Sequence, residues 1–423
     1  MKELSINEVI PLQGGGKARV KAELGRGGQG IVYLVDVHGK MMALKWYHQH
    51  KSEQFRNNIR NLVDYGPPMG DAFLWPRYST QLIEGHFGYV MDLRPEGYYE
   101  FGQYLLNRQR FGSVFAMIQA AMRICDGFQK LHLKGYSYRD LNDGNFFIHP
   151  SSGDVLICDN DNVGLDGEHS EIKGKPGYMA PEVVCGGHPD TRSDRFSLAV
   201  ILFFLFMRGH PLEGKWASSC PCLTEKFERL IYGEKPVFVY DPDNENNRPD
   251  PDVHRNVARC WGLYPERLRE QFQKEFSKDC LDHPEKRCVE MEWKNVIEHI
   301  RDNLVNCPHC GEEIFFNPEC KCPECGKPIQ PEFFGKIRAR KIPFFADKLL
   351  FFDNDNTPDA EIKIIDGQMR IVNLSPTAWK ATGTDGKSTI LMPNQALPLK
   401  DATVIESTIH DIDYKLRVIK TTT

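Results

Sequence analysis

The sequence predicts an α+β chain built in series: a small β-rich lobe, a larger helical lobe, a pair of metal knuckles and an all-β module. Three observations carry this. Residues 20–92 run in short stretches of alternating apolar and polar positions, 31–37 among them, and period-two alternation marks a half-buried strand. Residues 100–300 hold longer helical spacings, such as 113–133 and 266–276. Then come two Cys-Pro-x-Cys-Gly knuckles and a series of short β-type runs split at Asp366-Gly367, Asp385-Gly386 and Pro393-Asn394, which are turn signals.

At roughly 100–200 residues per domain, a chain of this length holds two to four domains. The expected parts are an N-terminal segment, 1–19, ending in a Gly-Gly-Gly-Lys linker; a bilobal domain, 20–305, with its small lobe at 20–92 and large lobe at 93–305; the knuckles, 306–330; and a β-sandwich-like module, 336–423. One helical stretch, near 54–63, interrupts the small lobe, and the Asp-, Asn- and Pro-rich stretch 240–251 is expected to be a loop. A net charge of −5 gives no basic surface for nucleic acid or membrane. Residues 1–30 lack a basic segment followed by an apolar run, so no signal peptide is expected. The longest apolar stretch, 198–207, is too short to cross a bilayer and fits a buried helix. Of 13 cysteines, five crowd between 307 and 325, in pairs spaced for metal; the rest are scattered, as buried thiols in a reducing cytoplasm would be.

Gly25, Gly27, Gly28 and Gly30 form a glycine-rich turn between two β-like runs. Glycines let backbone N–H groups approach phosphate oxygens. No helix opens after the turn, which argues against a dinucleotide fold. One hairpin later Lys45 ends an apolar run, Ala43-Leu44-Lys45, placed to reach phosphates. Tyr138-Arg139-Asp140-Leu141-Asn142-Asp143-Gly144-Asn145 follows, then Asp159-Asn160-Asp161, Ala180-Pro181-Glu182, a run from Ser193 to Leu198, and His283-Pro284-Glu285-Lys286-Arg287. In this order and spacing the motifs resemble those of protein kinases. The resemblance implies a bilobal kinase fold that transfers the γ-phosphate of ATP, with magnesium, to serine or threonine hydroxyls. It makes Asp140 the catalytic aspartate, and Asn145 and Asp159 magnesium ligands, with Asp161 the runner-up for Asp159. It assigns the nucleotide to the four glycines, Val32, Ala43, Lys45, a gatekeeper at Met91 and the hinge from Asp92 to Arg94; Met91 would serve equally as ordinary core. It also has Asp194 brace the catalytic loop and Arg287 pair with Glu182.

Three departures from the kinase pattern matter. Asn142 stands where a lysine is usual, and Lys175 where a threonine is usual; either Lys175 supplies the missing charge beside the γ-phosphate or it is a solvated loop lysine. The sequence leaves the partner of Lys45 open: register with the family's helix puts Asn58 where the glutamate belongs, and Glu53, about a turn earlier, would serve only if the helix rotates. The segment between Asp159 and Ala180 offers Ser170 as a phosphate acceptor for Arg139, flanked by Glu168 and Glu171, which would serve as anions if the segment is ordered without phosphate.

Cys307, Cys310, Cys322 and Cys325 fit a closed tetrahedral zinc ribbon with a structural ion. Cys320 reads as a bystander and His309 as pointing away. Residues 370–375 and 390–399 resemble the last strands of a forkhead-associated sandwich, without that family's Gly-Arg and Ser-Arg phosphothreonine motifs. The Tyr-Arg-Asp loop, the Asp-Asn-Asp-Asn run and the trailing ribbon are together similar to bacterial eukaryotic-like kinases of tellurite-resistance clusters. That resemblance implies two partners, a von Willebrand A-like protein and a metal-dependent protein phosphatase. The competing function is a pseudokinase, a nucleotide-binding scaffold, which Asn142, Asn58 and Asn160 favour.

Overall fold

Alternation in the N-terminal part becomes one antiparallel sheet. Its strands are β1 (Val9–Pro11), β2 (Lys17–Arg26), β3 (Gly30–Val37), β4 (Lys40–Tyr47), β5 (Pro76–Ser79) and β6 (Gly88–Asp92), in the order β1-β2-β3-β4-β6-β5. The computed structural model describes residues 2–168, 174–220, 224–317, 319, 321–353 and 356–421. The β3–β4 hairpin turns at His38 and Gly39, both at positive φ (52° and 83°), as a two-residue type I′ turn demands. One face of the sheet, with Ile31, Tyr33, Val35, Met42, Leu44, Trp46 and Val90, makes a continuous core. Leu4, Ile10 and Leu12 belong to that same core. The expected linker over 1–19 is therefore corrected: its apolar residues are strand and core, and Gly14, Gly15 and Gly16, all at positive φ, form the turn between β1 and β2. Helix α1 (Glu53–Tyr65) starts on an N-cap, Ser52, whose side chain accepts from Phe55 N–H, and buries Ile59 and Leu62.

The helical lobe holds β7 (Tyr99–Glu100), α2 (Phe101–Leu105), α3 (Val114–Leu133), β8 (Tyr136–Ser137), β9 (Phe146–Ile148), β10 (Val155–Ile157), β11 (Gly164–Leu165), α4 (Pro181–Val184) and α5 (Thr191–Met207), followed by α6 (Glu225–Arg229), α7 (Arg255–Trp261), α8 (Glu266–Glu275), α9 (Lys278–Asp282) and α10 (Glu290–Asn303). The apolar run 198–207 lies in α5, buried nearly all round, as expected. Asp190 starts it with a capping box: its carboxylate accepts from Arg192 and Ser193 N–H, and Ser193 Oγ accepts from Asp190 N–H. Among the described residues, no helix is long and apolar enough to cross a membrane.

The chain divides into two compact units: 1–112, 123–261 and 272–290 make one, and 113–122, 262–271 and 291–423 the other. This differs from the boundary read at 305. Within the second unit the difference has a physical cause in helix capping. The first turn of α3 donates Val114 and Phe115 N–H to the Glu313 carboxylate. The last turn of α10 receives Lys348, whose buried ammonium donates to the carbonyls of Arg301 and Leu304. Arg301, buried, stacks 3.7 Å from the Phe351 ring centroid and donates to Gln119. Among the described residues, the second unit also holds the hairpin of β12 (Leu304–Asn306) and β13 (Glu313–Phe315) and ten more strands. Six of these form one sheet: β14 (Phe333–Ile337), β15 (Arg340–Phe344), β19 (Trp379–Thr382), β20 (Ser388–Leu391), β22 (Val404–Ile409) and β23 (Ile412–Lys420). Four form another: β16 (Lys348–Leu350), β17 (Ala360–Ile365), β18 (Gln368–Asn373) and β21 (Ala396–Pro398). The two sheets share a core around Phe344, Phe352, Ile362, Ile371, Trp379 and Leu416.

In the first unit His132 is buried between two carboxylates, Glu290 Oε1 at 2.8 Å and Asp194 Oδ2 at 3.2 Å. Burial opposes its charge, but hydrogen bonds to Asp194 and Glu290 overcome that and lift it to about 9. Glu290 is held at about 2 against burial by His132 and Arg195. A histidine raised on folding stabilises fully below its unfolded value of 6.5, and that stabilisation is lost as pH rises through about 9. The Glu290 share is present above 4.5 and lost as pH falls toward about 2. Wild type is expected to be more stable than His132→Gln by roughly 2 kcal/mol near pH 6. Urea unfolding should show that advantage largely gone by pH 10; an undiminished difference would rule out a charged His132.

Candidate active site

The strands that feed the core with one face leave the other for a ligand. Val32 lies opposite Lys45, Ala43 opposite Met91, and Lys45 opposite Tyr89. Partners across an antiparallel ladder share a face, so Val32, Ala43, Lys45, Tyr89 and Met91 line the side away from the core. The glycine-rich turn joins β2 to β3, with Gly27 N–H on Gly30 O at 2.9 Å. Gly30 is glycine because a Cβ would lie 2.3 Å from Trp46 O. Gly25 and Gly28 have neither positive φ nor any neighbour a Cβ would meet, so the fold itself does not require glycine there. A close backbone approach by a ligand would. Beyond the hinge strand, Asp92 bonds Lys40 and Arg77, and the Arg94 guanidinium lies 4.1 Å from the Phe147 ring centroid.

Lys45 is 7 % exposed. Its ammonium donates to Asp161 Oδ2 at 2.8 Å and Asp159 Oδ1 at 3.1 Å. Burial opposes its charge, yet Asp161 and Asp159 hold its pKa well above the ordinary lysine value. Asp161 itself stays ionised because Lys45 outweighs the burial penalty. Tyr47 adds its hydroxyl to Asp161 Oδ2 at 2.5 Å. Neither expected partner touches Lys45. Glu53 faces outward and pairs with Arg56 and Arg60. Asn58 turns to the backbone and donates to Asp161 O at 3.2 Å and Val163 O at 2.8 Å.

Asp159 adopts left-handed φ of 57°, and Arg139, before Asp140, 74°. Non-glycine residues are held there at a cost, which concentrates at functional sites. Asp140 Oδ2 accepts from Asn162 Nδ2 at 3.1 Å, and its Oδ1 from Asn142 Nδ2 at 3.4 Å. Burial, then the charges of Asp161 and Asp159, lift its carboxyl to about 6. Asn145 is buried, and its Oδ1 accepts from Asn142 N–H at 2.7 Å. Asn160, where the kinase pattern has phenylalanine, donates to Leu74 O and Ile157 O.

The loop is clamped from behind. Asp194 Oδ2 accepts from Tyr138 N–H at 2.6 Å and Oδ1 from Arg139 N–H at 2.9 Å. Arg287 makes a bidentate pair with Glu182, at 2.8 and 2.7 Å. Both contacts were expected from the motifs. Lys175 is half exposed and bonds Asp143 Oδ1, on the catalytic loop, at 2.6 Å. Arg139 donates to Ser137 Oγ and Leu165 O, with Glu168 at 4.0 Å. Ser170 and Glu171 lie outside the described residues.

In the second unit the four knuckle sulfurs lie within 4.8 Å of one another. Cys307 and Cys325 are 3.9 Å apart, Cys310 and Cys322 3.8 Å. Sulfurs at ~2.3 Å from one zinc ion would be ~3.8 Å apart, so the donor set fits. Gly311 and Gly326, after each second cysteine, take positive φ of 79° and 69°. His309 and Cys325 N–H point to Cys307 and Cys322 Sγ. The His309 ring turns away to Pro328 O. Cys320 lies outside the described residues.

Sequence reasoning missed Asp161 as the partner of Lys45, Tyr47 beside it, and His132. The doubled carboxylates of Asp159-Asn160-Asp161 were the available signal for the first.

Comparison with known proteins agrees with this geometry. Residues 18–294 match the protein kinase domain family. The chain is 30% identical to the serine/threonine-protein kinase Pkn1 of Myxococcus xanthus over 212 residues, 45% of this chain and 29% of that one. It is 26% identical to pkn2 of the same organism over 228 residues, covering 47% and 25%. It is 31% identical to mouse protein kinase C delta type over 184 residues, covering 40% and 27%. The chain thus spans between a quarter and a third of the length of these relatives. Matched over most of its length, the chain belongs to the protein kinase domain family.

Proposed function

We propose that this protein is an ATP- and magnesium-dependent kinase, acting in the cytoplasm, that phosphorylates serine or threonine hydroxyls of a partner protein or of itself. The observation that carries this reading is the meeting of Lys45 and Asp159, 114 residues apart, at 3.1 Å, with the charge of Asp159 also felt at Asp140. Phosphoryl transfer needs alignment and charge neutralisation more than covalent help, and these groups supply both. Gly25, Gly27, Gly28 and Gly30 cradle the phosphates. Val32, Ala43 and Met91 flank the adenine, and the backbone from Asp92 to Arg94 reads its edge. Lys45 holds the α- and β-phosphates. Asp140, oriented by Asn142 and Asn162, accepts the hydrogen of the acceptor hydroxyl. Asp159 and Asn145 are the magnesium ligands; Asp159 fits because its carboxylate is half exposed. Bound magnesium neutralises phosphate charge.

Lys175 supplies the cation that Asn142 cannot, from the segment facing the catalytic loop. The knuckles hold a structural zinc ion through Cys307, Cys310, Cys322 and Cys325. The two-sheet module resembles a forkhead-associated fold without its phosphothreonine site. By resemblance to the tellurite-resistance kinases, the partners are a von Willebrand A-like protein and a metal-dependent phosphatase.

Three experiments test these roles. Labelled ATP and magnesium should give label transfer that falls at least about a thousandfold in Asp140→Asn; ATP binding without transfer, even with the partners present, would instead indicate a scaffold. Lys175→Met should lower kcat about tenfold or more with little change in KM for ATP, whereas an unchanged kcat makes Lys175 only the ion-pair partner of Asp143. Metal analysis should find about one zinc ion per chain. Cys322→Ser should abolish it and lower the melting temperature, and a metal-free wild type of full stability would refute the zinc site.

A further inference from the structure

In the kinase mechanism the phosphate-binding lysine must be held by a carboxylate, ordinarily a glutamate on the helix after it. Here the carboxylates bonded to Lys45 are Asp159 and Asp161, neither of them on α1: Asn58 is spent on backbone carbonyls and Glu53 is 63 % exposed in its side chain. We propose that Asp161, two residues past Asp159, is the positioning residue for Lys45. This rests on the kinase reading.

The two aspartates differ in the way such a division of labour needs. The Asp159 side chain is 50 % exposed, whereas that of Asp161 is 1 % exposed. Asp161 Oδ2 accepts from both the Lys45 ammonium and the Tyr47 hydroxyl. Tyr47 is two residues beyond Lys45 on β4, so one strand face delivers both donors. Asn58 fixes the Asp161 backbone from the other side through its carbonyl. Asn160, between the aspartates, is buried and tied to Leu74 O and Ile157 O. The Asp-Asn-Asp run thus sends alternate carboxylates toward one lysine and anchors itself between them. The pair joins β4 to the segment after β10 without a carboxylate from α1. Movement of α1, which makes and breaks the usual pair, acts here through the Asn58 bonds to that segment and through Phe55, which packs edge-on against Tyr47 with ring centroids 5.3 Å apart.

The competing role for Asp161 is magnesium ligation through Oδ1, which has no hydrogen-bond partner among the described residues. Label transfer to casein or to the protein itself, measured as a function of magnesium, separates the two. The positioning role predicts that Asp161→Asn lowers kcat about a hundredfold with the half-saturating magnesium concentration unchanged, while Asp159→Asn raises it severalfold. An Asp161→Asn kcat within threefold of wild type, or a rise in magnesium requirement matching that of Asp159→Asn, overturns the proposal. If wild type transfers no label, the kinase reading fails, and the pairing is then judged by melting temperature alone. A buried cation stripped of its partner is strongly destabilising, so Asp161→Asn should lower the melting temperature by several degrees in wild type and by clearly less in Lys45→Met. Equal losses in the two backgrounds would mean no coupling and would sink the pairing.

Discussion

A lysine ammonium buried in the middle of a β-sheet has to be neutralised, and much of the first unit is arranged around that demand. Left alone, such a charge would shed its proton or unfold its surroundings. Lys45 keeps its charge because two carboxylates come to it from the segment after β10. Delivering them fixes the backbone there. Asp159 is driven into a left-handed conformation, and the next three residues make a single buried 3₁₀ turn. Asparagines at 160 and 162 hold that turn through Leu74 O, Ile157 O and the Asp140 carboxylate. Aspartates at those two places would bring further negative charge against carbonyls and a carboxylate; asparagine supplies the N–H donors without it.

The same economy runs through the catalytic loop. Asn142 caps the 3₁₀ turn that holds Asn145, and its amide also reaches Asp140. Behind the loop, Asp194 receives two backbone N–H groups and His132 at once. Glu290 completes that frame by accepting from His132 and Arg195. Three charged groups buried together are tolerable because each hydrogen-bonds an opposite charge, and losing any one leaves another uncompensated. The geometry of the loop backbone therefore depends on residues well behind the chemistry.

The second unit solves its own version of the problem with helix ends. Glu313 satisfies N–H groups at the start of α3, and Lys348 satisfies carbonyls at the end of α10. Burial pushes Lys348 down to about 7, and charged or neutral its amine keeps N–H donors for both carbonyls. Helix termini leave orphan polar groups that must find partners. Meeting that need with side chains from β13 and β16 ties the helix segments to the β-rich remainder of the unit.

The sequence by itself determined the kinase domain family and the four-cysteine cluster that follows it. Alternation in 31–37, the buried run at 198–207 and the spaced cysteines are local patterns, and local patterns survive in a linear reading. So do motif residues whose partners are set by the fold, such as Asp194 and Arg287. Only the tertiary structure decided three matters. It turned residues 4–12 from linker into core, because Ile10 and Leu12 are too few to show a period. It showed the first turn of α3 and the last turn of α10 capped within the second unit, across gaps of more than forty residues. It gave Lys45 its partner, because which carboxylate meets a buried ammonium depends on where strands β4 and β10 bring their ends. A sequence records that two aspartates flank Asn160; it does not record which of them is left facing solvent.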